Sequence, residues 1–414
     1  MSLPDQGMSP DEVLAALDGF QQRDVRWKEG RAFSLAYSAG AEVNAIADEA
    51  HRRFAGANGL NTHAFPSLQR IQSEVVGAVV DWFHGGERAA GFLTSGGTES
   101  LLLAVKAARE RGRAERGITH PNVVLPTSAH AAFEKGCHYF GVESRRVAVA
   151  ADWRADATAM AEAVDENTVL LVASAPQYPQ GVVDPVADIA AIAAERGINC
   201  HVDACMGGVT LPCLERLGHR LPLWDFRVDG VTSISVDLHK YGYSTKGCGV
   251  LVHRDRQMRA YQTYVTENWL GGTYGSSGVL GTKGGGPWAA AWAVMHFLGD
   301  EGYLRLTKSA RTATERIAQA VRSTPGLMLR AEPDATLLCI GADIDGPDVN
   351  AVADLLWQRG WYVDRQGPPA SLHLTVNAVH EPLVDEFVAD LRRCTDDAQR
   401  RQAEGTAGAY GTVE

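Results

Sequence analysis

Three short segments of the sequence carry residue types suited to acting together on a small charged molecule. The first, Ser95-Gly96-Gly97-Thr98-Glu99-Ser100, follows a short apolar run and opens the strongly helical stretch 101–106. Two glycines let the backbone approach an anion, and the hydroxyls, free amides and helix dipole all favour phosphate there. The second, His201-Val202-Asp203-Ala204-Cys205, closes the apolar run 198–202. A carboxylate at the carboxyl end of a strand can hold a protonated ring nitrogen. The third, residues 235–243, sets Lys240 beside His239 just after another apolar run. A lysine where the interior begins is poorly placed as a solvated charge, and a partly buried amine with a lowered pKa forms Schiff bases readily. Singly, each has a plainer reading: a capped helix with a glycine turn, an aspartate capping the next helix, a surface lysine. The absence of G-x-G-x-x-G and Walker sequences speaks against dinucleotides and nucleoside triphosphates.

Order decides between these readings. A phosphate cradle, then a ring-nitrogen carboxylate, then a Schiff-base lysine, each after its own strand, is the layout of a fold-type I pyridoxal 5'-phosphate (PLP) enzyme of the aspartate aminotransferase-like α/β class. The elements that must position these residues follow the same pattern. Apolar runs at 91–93, 122–125, 168–174, 198–202, 230–235 and 249–253 alternate with amphipathic stretches such as 101–115 and 185–196. Such alternation predicts a mostly parallel central sheet with helices on both faces, its ligands at the carboxyl ends of the strands. After the glycine-rich stretch 271–286 the pattern changes to a helical run over 288–324, then apolar segments at 336–340 and 372–376 with a helix at 349–359 between them. The expected organisation is an N-terminal helical arm (1–65), a large PLP-binding domain (66–298) and a small C-terminal α+β domain with a loosely held tail (299–414).

Composition narrows the partners. The 414 residues are 45% hydrophobic with a formal net charge of -11. That is enough apolar material for a large core, and no basic footprint for nucleic acid. The apolar stretches fall well short of the roughly 18 residues a membrane span needs, and the first 30 residues lack a secretory signal. Seven cysteines form no C-x-x-C pair and are mostly set in apolar runs, which points to buried thiols in a reducing, cytoplasmic compartment, with no metal site.

With these residues in hand, the chain resembles the sphingosine-1-phosphate lyases, a branch of the group II PLP-dependent decarboxylases. The resemblance runs through residues 94–100, Ala129-His130-Ala131-Ala132-Phe133, Ser174-Ala175-Pro176-Gln177-Tyr178-Pro179, residues 201–205 and 230–242, Gly271-Gly272-Thr273-Tyr274, Gln366-Gly367-Pro368-Pro369 and Gly408-Ala409-Tyr410-Gly411. It implies Lys240 as the cofactor lysine, Asp203 as the pyridine-nitrogen partner and His130 as the ring stacked on PLP. Gly97, Thr98 and His239 would contact its phosphate. Gly281 and Thr282 would reach the phosphate from the neighbouring subunit, making a homodimer with shared active sites. Tyr37 and Lys246 match residues around the substrate's phosphate end, and Tyr410 matches a tyrosine at the site mouth. Two positions depart from the pattern: Asn61 stands where a histidine is usual, with His63 two residues on, and Gln180 replaces another common histidine. Both fall on the substrate side.

The reaction the resemblance implies is retro-aldol Cα–Cβ cleavage of a phosphorylated β-hydroxy amine, giving an aldehyde and an amine such as phosphoethanolamine. The same electron sink serves α-decarboxylation of an amino acid, for which Arg365 is the candidate carboxylate holder. A third reading, a non-catalytic subunit of the PLP fold, is opposed by the intact Lys240, Asp203 and His130.

Overall fold

Strands and helices alternate from Ala90 onward, and the strands gather into one sheet. The computed structural model describes residue 3 and residues 5–408. Strands β1 (Ala90–Thr94), β2 (Asn122–Pro126), β3 (Glu143–Val147), β4 (Thr168–Ser174), β5 (Asn199–Asp203), β6 (Ser233–Asp237) and β7 (Gly249–His253) form a seven-stranded sheet in the order β1-β7-β6-β5-β4-β2-β3. Pairing is parallel from β3 through β2, β4 and β5 to β6. Only β7 runs the other way, antiparallel to both β6 and β1. β1 therefore points the same way as β6, and the carboxyl ends of β1, β5 and β6 share one edge. All three chemically suggestive segments begin there.

Burial explains why β2, β4 and β7 read as apolar runs; β6 is equally buried but alternates, with the Ser233 and Ser235 hydroxyls bonded to the His201 ring. Every residue of β2, β4, β6 and β7 is buried, as strands covered on both faces require. Helix Gly97–Arg116 packs against β4, β6 and β7, helix Val186–Arg196 against β4 and β5, and helix Pro66–Trp82 against β1 and β7. The first of these stops at Gly117, whose left-handed φ of 67° lets its N–H return to the Arg113 and Gly112 carbonyls. β3 is different: Glu143, Arg145 and Arg146 leave it part-exposed at the sheet edge, where charges discourage pairing with another chain. A search for apolar runs passes over it.

Beyond β7, strands β8 (Tyr264–Thr266) and β9 (Tyr274–Ser276) make a two-stranded antiparallel ribbon. The long helix Gly285–Arg322 follows, broken at Gly299 (φ 53°, ψ -171°). Its Trp288, Ala290, Val294 and Leu298 lie in the core of the large sheet, and its Ala313, Ile317 and Val321 in a second core. That second core lies on an antiparallel sheet of β10 (Leu327–Leu329), β11 (Leu337–Ala342), β12 (Asp364–Gln366) and β13 (Ser371–Thr375), ordered β10-β11-β13-β12. Helices Val349–Gln358 and Val384–Arg401 complete it.

The first 65 residues contribute to this second core as well. The Phe33 ring lies 4.4 Å from Phe387 and 4.1 Å from His380. Its N–H donates to the Tyr362 carbonyl at 2.9 Å, and its carbonyl accepts from Thr375 N–H. Helix Pro10–Phe20, opened by a Ser9–Glu12 capping box, has no buried residue. All seven cysteines are buried free thiols. Among the described residues no helix is long and apolar enough to cross a membrane.

Candidate active site

β1 delivers the chain to the glycine turn, and the turn lies directly on the segment that follows β6. Gly96 has a φ of 135°, and a Cβ there would stand 2.8 Å from His239 Cε1; a Cβ on Gly97 would stand 2.8 Å from Asp237 Oδ2. Only glycine fits this approach. No side chain caps helix Gly97–Arg116, so its first-turn amides and dipole remain for an anion. The buried Glu99 braces the turn: Oε2 accepts from Ser95 N–H and Oε1 from Val279 N–H, each at 2.6 Å.

β5 ends on Asp203, which is 8% exposed and whose Oδ1 accepts from Cys205 N–H at 3.0 Å. β6 ends on Asp237. Three residues on, Lys240 Nζ lies 3.0 Å from Asp237 Oδ2. His239 Nδ1 donates to the Cys248 carbonyl at 2.8 Å, leaving Nε2 3.9 Å from the same carboxylate. Burial pushes the Asp237 carboxyl up, but the charges of Lys240 and His239 outweigh it and hold the group below its ordinary value. Its Oδ1 is buried with no hydrogen-bond partner. His130 Nδ1 accepts from Ala132 N–H at 3.1 Å. Burial lowers the His130 pKa, opposed in part by Asp203, so its ring is neutral at pH 7 and suited to lying flat on an aromatic system.

Gly97, Thr98, His130, Asp203, Asp237, His239 and Lys240 thus line one cavity of about 280 Å³. The set fits PLP: an anion cradle that admits no Cβ, an amine, a strand-end carboxylate, a neutral flat ring and an orphaned buried carboxylate oxygen. His130 is also part of the wall of a second cavity of about 480 Å³, with Ser128, Tyr178, Tyr362, Asp364, Arg365 and Gln366. A molecule in the larger space therefore meets the cofactor site across one histidine.

The remaining expected residues divide. Tyr37 and Lys246 are together: Lys246 Nζ lies 4.9 Å from the Tyr37 ring centroid and donates to the His239 carbonyl at 3.3 Å. The Lys246 side chain still reaches solvent, yet desolvation by the surrounding protein, with the nearby Lys240 ammonium, lowers its pKa to about 8. Asn61 is exposed, its Oδ1 accepting from His63 N–H at 3.0 Å, and does not line either cavity within one chain. Gly281 and Thr282 are exposed; Thr282 lines a smaller space that shares Ser95 with the cofactor cavity. Tyr410 lies outside the described residues, although Gly408 reaches the larger cavity. Gln180 exchanges hydrogen bonds with Gln177. Arg365 is ion-paired with Asp354. The sequence reading gave no role to Asp237, Tyr178 or Asp364. Asp237 had a signal, an acidic residue closing a wholly buried strand three positions before the lysine; Tyr178 lies in the segment 174–179 that carries the resemblance, and Asp364 had none.

Comparison with known proteins bears on the chain as a whole. The model of the pyridoxal-dependent decarboxylase conserved domain matches residues 17–342. Sphingosine-1-phosphate lyase 1 of Rattus norvegicus is 36% identical over 419 residues, covering 100% of this chain and 73% of the relative. The probable sphingosine-1-phosphate lyase of Legionella pneumophila is 29% identical, covering 99% of this chain and 73% of its own length. The solved sphingosine-1-phosphate lyase of Burkholderia pseudomallei superposes with a TM-score of 0.92 at 38% identity, over 97% of this chain and 93% of that one. Glutamate decarboxylase of Lactobacillus brevis, at 21% identity and a TM-score of 0.84 over 97% of this chain and 95% of its own, shares the fold.

Proposed function

The chain belongs to the sphingosine-1-phosphate lyase family of pyridoxal-dependent decarboxylases, and from that premise we infer that it cleaves the Cα–Cβ bond of a phosphorylated β-hydroxy amine, releasing an aldehyde and an amine such as phosphoethanolamine. It is a PLP-dependent lyase. When bound, the cofactor supplies an electron sink for the pair left on Cα as that bond breaks. Lys240 would hold the cofactor, Asp203 its ring nitrogen, and Gly97, Thr98 and His239 its phosphate, with neutral His130 against the ring face. Tyr37 and Lys246 bind the substrate's phosphate, the ammonium by charge and the phenol by hydrogen bonding. The β-hydroxyl must give up its proton to a base as the aldehyde carbonyl forms, and Lys240, released when the substrate amine takes its place and lying 3.0 Å from Asp237 Oδ2, would return a proton to Cα.

The observation that supports this reading most is the gathering of the cofactor set into one cavity that meets a larger one at His130. The lyase works in this reading as a cytoplasmic homodimer, with Gly281 and Thr282 of each subunit serving the other's site. Apolar side chains exposed on two separate segments support a partner surface: Val13, Leu14, Leu17 and Phe20 on the first helix, and Tyr264, Val265, Trp269 and Leu270 at the ribbon. Incubating the PLP-loaded protein with sphingosine phosphate and with a panel of amino acids tests the reaction. Aldehyde release, lost in Lys240→Ala, is the expected result; carbon dioxide from an amino acid would make the protein a decarboxylase instead.

A further inference from the structure

We propose that Arg146 is a positioning residue for the reaction: from the edge strand β3 its guanidinium fixes the turn that holds His130 in the wall between the cofactor cavity and the larger one. The inference rests on His130 lying against the cofactor ring, as inferred above. β2 ends at Pro126, and the helix Ala132–Phe140 follows with no side-chain cap. Residues 127–131 form the irregular turn between them. Thr127, Ser128 and Ala129 of that turn line the larger cavity, and His130 lines both. A turn has no ladder of its own, so its carbonyls need donors from elsewhere.

Arg146 supplies them. It stands opposite Leu125 in the register of β2 and β3. Nη1 donates to the Thr127 and Ala129 carbonyls at 3.1 Å each and to that of Pro126 at 3.4 Å. Nε donates to Glu134, in the first turn of the helix, whose Oε1 also accepts from Ser144 Oγ at 2.6 Å. One planar fork, its donors aimed in fixed directions, therefore ties the strand end, the turn and the helix start together on both sides of His130. The ring itself is bonded to that helix start, Nδ1 accepting from Ala132 N–H, so a shift of the helix start turns the ring. The neighbouring Arg145 shows what an ordinary edge charge does. Side chains alternate along a strand, and Arg145 pairs instead with Glu143 and Asp165, neither of which lines either cavity.

A double-mutant cycle of His130→Ala and Arg146→Met on the full chain tests this role. Two quantities are read: the dissociation constant of PLP, and the cofactor's visible circular dichroism per bound PLP, which reports how the ring is held. Each single substitution is expected to weaken PLP binding about fivefold to tenfold and to reduce the ellipticity. The double variant should match His130→Ala within about twofold, because Arg146 acts through that ring. Effects that multiply in the double variant overturn the proposal. So does an Arg146→Met protein that melts earlier yet keeps wild-type ellipticity per bound PLP while His130→Ala loses it. No change in His130→Ala would remove the stacked ring and this inference with it, whereas the product test of the lyase reading stands apart from both. Should Arg146→Met fail to fold, Arg146→Lys enters the same cycle; it keeps the charge at the sheet edge but cannot span the carbonyls and Glu134 together, and the same outcomes decide.

Discussion

Lys246 illustrates how a single side chain can set a pH limit. With its pKa lowered to about 8, the amine is a cation below that value and neutral above it. A phosphate group keeps its charge throughout this range, since its second ionisation lies near pH 6. In the proposed site the pairing is therefore full well below pH 8, halved at it and lost above it. KM for a phosphorylated substrate is expected to climb up to about tenfold between pH 7 and pH 9 while kcat changes little; Lys246→Met should show a high KM that is flat with pH. Steady-state kinetics across that range checks both. Lys240, Asp203 and the Gly96-Gly97 turn were legible in the sequence because each stands just after an apolar run, where a buried strand gives way to a polar edge. Asp364 was not, because nothing local to Asp364-Arg365-Gln366 tells which cavity a short strand of another core will border.

At the scale of elements, the glycine turn between β1 and its helix is the least forgiving piece of the site. Gly97→Ala forces a methyl to 2.8 Å from Asp237 Oδ2 and 3.0 Å from Cys205 Sγ. Overpacking of this kind costs about 1–3 kcal/mol, and here the turn itself must move. PLP affinity, titrated by absorbance, is expected to fall at least about tenfold, with the far-ultraviolet circular dichroism unchanged. The strands were readable where both faces are covered, as in β2 and β4. Their direction was not: β7 is as apolar as its neighbours, and an apolar run carries no information on which way it runs. β3 escaped for the opposite reason, its Glu143, Arg145 and Arg146 being an edge strand's polar dress. Asp237 is the counterpart, a carboxylate whose part in the site becomes visible only once the fold sets Lys240 Nζ 3.0 Å from it.

For the molecule as a whole, the exposed apolar residues at the ribbon and on the first helix are the surface that the proposed homodimer would cover. Sedimentation of the PLP-loaded protein should give twice the chain mass, and Leu270→Glu, a charge placed on a fully exposed apolar side chain, should shift it toward the monomer and weaken PLP retention. A sedimenting monomer with full PLP retention in the wild type would remove the shared-site arrangement. Within one chain, the second core closes over residues from both ends: His380 Nε2 bonds to the Ala32 carbonyl across 348 positions, and Phe33 lies among Phe387, Trp361 and His380. During synthesis, then, Phe33 leaves the ribosome long before its partners exist. The large sheet can assemble as its strands emerge, but the pocket for Phe33 cannot form until nearly the last helix has been made. The wall that carries Asp364 is thus the last part of the larger cavity to be built, and a chain halted early would own a cofactor cradle open on its far side.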